Sequence, residues 1–294
     1  MPQTRIPTQQ DLSPLTPHLT FATVYPSPRE STTSILILFH GLGDSEAPFA
    51  SFARNLSLPG VLAISVRGVN PLPPSLLGDP PPPPQQSGGE GGGEAEEGQA
   101  RNFHWGDDLL LSNGEEQELE PDPGYEKTVR LVMGRLVKET LVEKCGWETR
   151  DVMLFGFGQG GSVALCLASR LRVGLGNCCA EESRFKEVVD GDEEREGGQT
   201  GDRGKVFKGV VSIGGPLMAS MIPRGPSEKS RTPVLVCHGS QSDAVDEFAV
   251  DVLKREFESV RVVKWKRPDD GMPRSREEVL PMMEFFAERL RSGW

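Results

Sequence analysis

Val152 to Leu165 read VMLFGFGQGGSVAL. An apolar run leads into Gly156–Gly161, four of whose six residues are glycine, and a small-residue helix start follows. Strand, tight turn and helix in that order predict an α/β layer whose sites lie at the carboxyl ends of its strands. The glycines admit two readings. As G-x-G-x-x-G they would cradle a dinucleotide pyrophosphate, and an acid about 20 residues on, at the end of the next strand, should hold the ribose. Here that distance leads to an acidic stretch around Glu181 with no strand before it, and the next apolar run, GVVSIGG, ends without an acid. As G-x-S-x-G with a changed centre, the turn is the sharp one that lifts a hydroxyl above a sheet. The second reading fits better, with Gly158 where the hydroxyl would stand, and glycine offers no atom to attack a carbonyl.

Working outward, SILILF (34–39), VLAISV (61–66), VMLFGF (152–157), FKGVVSIGG (207–215), PVLVCHG (233–239) and VRVVKW (260–265) read as strands. Helical patterns lie over 47–56, 124–145, 162–173, 247–256 and from Arg276 onward. In the second of these, Val129, Val132, Met133, Leu136, Val137 and Leu141 recur at three- and four-residue spacing, so one face is core. Near-continuous apolar strands alternating with helices predict a mostly parallel sheet covered on both faces. Two segments interrupt the pattern, at about 71–101 and 176–205. The first joins polyproline to an acidic glycine tract, the second is acidic and polar, and neither can bury enough apolar surface to fold alone. Residues 1–18, polar and proline-rich, read as a disordered tail ahead of a domain over 19–294.

The net charge of −11, with no basic block, argues against nucleic acid as a partner. Five cysteines without CxxC or Cys/His spacing, and an N-terminus without the apolar core of a signal peptide, imply reduced thiols, no metal site, and a cytoplasmic or nuclear place. No apolar run approaches the length that crosses a bilayer. The prolines at 80–84 could dock a proline-reading domain.

His40-Gly41-Leu42-Gly43-Asp44 follows the first strong strand, in the form of a glycine loop that supplies an oxyanion-binding N–H; the residue after the turn apex, Gln159, would supply the other. Asp243 lies just past a later strand, where the acid of a Ser…Asp…His order belongs. On HGLGD (40–44), GFGQGG (156–161) and CHG with Asp243 following, the chain resembles the carboxylesterase, phospholipase and acyl-protein thioesterase family of α/β hydrolases over about 20–290. FHWGDD (103–108) is similar to that family's Trp-containing stretch near the substrate, which would put Trp105 beside a ligand. The resemblance implies an α/β-hydrolase fold acting on small esters or acyl thioesters, without metal or organic cofactor.

The sequence departs from that family at three points. Gly158 replaces the serine, HGSQSD is one residue longer than the usual acid loop, and Arg274 in GMPRSREE stands where the resemblance implies histidine. Arginine cannot act as a general base, because it does not deprotonate in proteins. Of the histidines, His18 is in the tail, His40 and His238 read as loop-structuring, and His104 is the least constrained. Ser162 reads as a packing residue, Cys166 and Cys237 as inert core thiols. The expectation is a non-catalytic or very weak hydrolase-like protein that binds an ester, acyl or peptide ligand. Two alternatives stand beside it: an ester or thioester hydrolase with an unconventional nucleophile or base, and a scaffold acting through its proline and acidic insertions.

Overall fold

The computed structural model describes residues 4–72, 102–107, 122–171, 206–223 and 228–291. Most of both predicted insertions, Asp108 and the prolines at 80–84 lie outside these residues. The elements run α1 (Gln9–Leu12), β1 (Phe21–Val24), β2 (Ser34–Phe39), α2 (Glu46–Leu56), β3 (Val61–Val66), β4 (Asn70–Pro71), β5 (Phe103–His104) and α3 (Glu126–Val129). After them come β6 (Val152–Phe157), α4 (Gln159–Leu171), β7 (Gly209–Ile213), β8 (Val234–His238), α5 (Glu247–Glu256), β9 (Val260–Lys264) and α6 (Arg276–Arg291). The long amphipathic helix predicted over 124–145 is α3 continued by a π-helix, Arg130–Lys144. Nothing in the sequence pattern explains the wider winding.

The main sheet has the order β1-β3-β2-β6-β7-β8-β9. β1 is antiparallel to β3 at the edge and the other neighbours are parallel. Its period of two sorts the side chains into two cores. Ile35, Ile37, Phe39, Val152, Leu154, Val234 and Val236 face the π-helix, α4 and α5, while Leu36, Leu38, Met153, Phe155, Leu235 and Cys237 face α2 and α6. Covered on both faces, the central strands are buried along nearly their whole length, which is why they read as unbroken apolar runs.

The N-terminal expectation is corrected from residue 4 on. Leu12, Leu15 and Leu19 are nearly fully buried in the first core, each burial contributing roughly 1.5–3 kcal/mol. Thr8 and Asp11 form a capping box, Arg5 and Lys144 pair with Asp11, and Trp147 donates its indole N–H to the Arg5 carbonyl (2.9 Å). The leucines sit at helix-like spacing, but Pro7, Pro14 and Pro17 hide the pattern.

Candidate functional site

The turn after β6 is closed below and open above. Gly158 has φ +52°, the left-handed region that side-chain-bearing residues enter at a cost. Its N–H donates to the Ile213 carbonyl (2.7 Å), and its own carbonyl accepts from Gly161 (2.9 Å) and Ser162 (3.1 Å), so α4 begins directly on it. At Gly160 a Cβ would lie 2.4 Å from the carbonyl oxygens of both Phe39 and His40, so β2 and α4 can meet there only through glycine. A Cβ on Gly158 would meet no heavy atom of a described residue within 4 Å beyond its two chain neighbours.

The 40–44 loop is held beside the turn by hydrogen bonds that use up most of its polar side chains. Gly43 donates to the Phe103 carbonyl (2.9 Å) and Phe103 to the Asp44 carbonyl (3.1 Å). Buried His40 donates from Nδ1 to the Gly41 carbonyl (2.7 Å) and accepts the Gly68 N–H at Nε2 (2.8 Å), which fixes its tautomer. Burial lowers its proton affinity. Trp105, expected beside a ligand, is instead 0% exposed. Its ring stacks 4.9 Å from His40, its indole N–H donates to the His40 carbonyl (2.8 Å), and its backbone N–H donates to Gln159 Oε1 (2.8 Å). Its indole braces the 40–44 loop from behind, because an indole has one donor and His40 takes it. The backbone N–H groups of Leu42 and Gln159 donate to no described residue, and Leu42 is 41% exposed.

On the other side, the expected acid and base positions, Asp243 and Arg274, are both exposed. Asp243 is exposed and makes no hydrogen bond or ion pair with a described residue. Arg274 has a side chain 71% exposed, reaches Asp269 (3.4 Å), and its N–H donates to Glu278 (2.7 Å). The group that enters is Asp270, which the sequence reading passed over. Its Oδ1 accepts the Gly239 N–H and its Oδ2 the Ser242 hydroxyl, both at 2.7 Å; Ser242 Oγ accepts in turn from the Val245 N–H (3.0 Å). A Cβ on Gly214 would sit 2.7 Å from Asp270 Cβ, and one on Gly215 would sit 2.4 Å from the Gly158 carbonyl oxygen. Asp270 and the turn therefore flank one two-glycine step at the end of β7. Arg267 stiffens this loop, lying 4.4 Å over the Trp265 ring and 3.4 Å from Glu278. The available signal was a pair of acids, Asp269-Asp270, just past the last strand.

All four histidines are in described residues. His18 is exposed. Both His40 nitrogens are used, and buried His104 has Nδ1 unpartnered and a proton affinity lowered by burial and then by Lys127. His238 donates from Nδ1 to the Gly239 carbonyl (2.8 Å) and, with Ser242, lines a cleft of about 600 Å³ against α5. Ser162 is fully buried, with its hydroxyl beside that of Tyr125. Burial pushes the Cys166 and Cys237 thiols up to about 12, leaving them unreactive at neutral pH. No group of His, Cys, Asp and Glu side chains among the described residues is placed to hold a metal, and no described helix is long and apolar enough to cross a membrane.

No family model matches the chain. It is 24% identical to an uncharacterized hydrolase of Schizosaccharomyces pombe over 263 residues, covering 89% of this chain and 86% of that one. Among solved structures, esterase PE8 superposes with a TM-score of 0.57 at 14% identity, covering 92% of this chain and 98% of the other. The acyl-protein thioesterase 2 of Zea mays gives 0.56 at 18% identity, covering 92% and 99%. The mostly parallel sheet with helices on both faces is an α/β-hydrolase fold.

Proposed function

We propose that this chain is an esterase-like α/β-hydrolase that binds an ester, acyl or acylated-peptide ligand at the Gly158 turn and forms no acyl-enzyme. The observation that carries the reading is the apex: residue 158 is glycine at φ +52°, with no heavy atom of a described residue beyond its chain neighbours within 4 Å of where a side chain would start. A covalent route needs an activated nucleophile with its base in hydrogen-bond reach, and the apex residue carries no nucleophilic atom. The unspent N–H groups of Leu42 and Gln159 support carbonyl binding, since preorganised backbone donors can hold an ester oxygen with or without a nucleophile beneath it. The half-exposed Leu42 side chain supports an apolar substituent on that ligand. The fold is shared with proteins named as esterases and a thioesterase, which favours an ester or acyl ligand over a nucleotide.

Titration of the full chain with a medium-chain acyl amide, read by thermal shift, tests the binding claim. A saturable rise in Tm that Leu42→Asp abolishes, without lowering the unliganded Tm, is the expected result. A ligand-independent Tm, or binding indifferent to Leu42, would move the ligand elsewhere.

A further inference from the structure

The fold brings a carboxylate to the sheet edge beside the open turn. Resting on ester binding at that turn, and deepening it, we propose that Asp270 is the general base of a direct, non-covalent ester hydrolysis in which water, standing in the open space over Gly158, attacks the carbonyl carbon. Three features of the structure support this. Asp270 packs on Gly214, the next residue, Gly215, packs on the Gly158 carbonyl, and Gly158 donates to Ile213, so the carboxylate and the apex share one strand end. Each Asp270 oxygen accepts one hydrogen bond from the described residues, from Gly239 or Ser242, which leaves a second lone pair on each. The orientation is fixed: the Ser242 oxygen is occupied by the Val245 N–H, so its proton points to Asp270, and Arg267 packed on Trp265 stiffens the loop behind.

The step balances without any added reagent. Water's oxygen bonds to the carbonyl carbon as one water proton passes to an Asp270 oxygen, and the carbonyl π pair moves onto its oxygen, where the N–H groups of Leu42 and Gln159 are the donors available. Collapse re-forms the carbonyl and breaks the bond to the alkoxy oxygen, which leaves as the alcohol with the proton returned from Asp270. The acid product then ionises to solvent. Every participating protein group ends as it began.

Asp270 also ties two loops together, and the test must separate that role from catalysis. Asn at 270 keeps both ties, since its Oδ1 can accept from Gly239 and its amide can donate to a turned Ser242 hydroxyl. The measurement is steady-state and pre-steady-state hydrolysis of p-nitrophenyl butyrate by the full chain, with Tm recorded for each variant. The wild type should turn over slowly and without a burst, and Asp270→Asn should lose about 100-fold, the usual worth of a general base, at a Tm close to wild type. Asp270→Ala should be similarly inactive and should recover with added formate, a small carboxylate able to enter the vacated space. No turnover above buffer, full activity in Asp270→Asn, or inactivity of Asp270→Ala that formate does not relieve would each overturn Asp270 as the base. Binding of the acyl amide at the turn would stand in all three cases.

Discussion

The two halves of the site have the same local grammar and different outcomes. Each begins with His-Gly at the end of a strand, and in each the histidine Nδ1 donates to the following glycine carbonyl, at 2.7 Å for His40 and 2.8 Å for His238. At the end of β2 the second nitrogen is also spent, on the Gly68 N–H, and Trp105 seals the loop from behind. At the end of β8 the loop is held from across the sheet edge by Asp270, through Gly239 and Ser242. In the first half the side chains that close the loop are a buried histidine and a buried indole; in the second, backbone bonds from Ser240 and Gln241 to Arg267 and Pro268 are joined by an ionisable carboxylate from the same segment. A side chain that orders a loop by ionic hydrogen bonds remains a chemical group, whereas a sealed indole does not.

The largest expected effect breaks the first half. Gly160→Ala would press a methyl against two backbone carbonyls at 2.4 Å, and backbone cannot step aside as a flexible side chain does. It should cost about 3 kcal/mol, the upper range for overpacking, read as the midpoint shift in urea at constant m-value. A loss under about 1 kcal/mol would mean that β2 and α4 are not in backbone contact there.

A pH experiment sharpens the contrast between the histidines. His40 and His104 have folded pKa values depressed by burial, so the unfolded chain takes up protons first. Their contribution is complete above about 6.5, the ordinary histidine value, and is lost as pH falls from there through the folded values. Stability should therefore decline between neutral pH and pH 5. His40→Asn should start lower yet lose less over that range; an unchanged slope would show that His40 is not held neutral.

Much of this architecture is legible in the sequence, for a physical reason. Strands buried on both faces must be continuously apolar, so SILILF, VLAISV and VMLFGF mark themselves, and the glycines at 156 and 160 mark a helix pressed on a strand. What sequence reading misses is set by distant geometry. Leu12, Leu15 and Leu19 are core residues disguised by prolines. Trp105 reads as ligand-facing because an aromatic beside a site is ambiguous until its N–H partner is known. Asp270 escapes because its neighbours, Gly214, Gly239 and Ser242, lie in two other loops, and spacing along the chain carries no trace of them. Arg274 drew attention through motif register alone.

Smaller effects grade the second half. Gly158→Ser introduces a side chain at φ +52° with room around it, so only backbone strain opposes it, at about 1 kcal/mol; a cost above about 3 kcal/mol would mean the apex is crowded. Arg274→Ala removes an exposed side chain whose ion pair to Asp269 is on the surface and should change stability by less than about 0.5 kcal/mol. A larger loss in denaturant melts would put Arg274 inside the loop framework alongside Arg267.

The claim on which the rest depends is that no covalent acyl-enzyme forms at the turn. Intact-mass measurement after incubation with a fluorophosphonate, on native and on heat-denatured protein, tests it most directly. An unmodified mass is expected in both, because residue 158 has no nucleophilic atom. Stoichiometric labelling of the native wild type at one serine, abolished by heat, would contradict it.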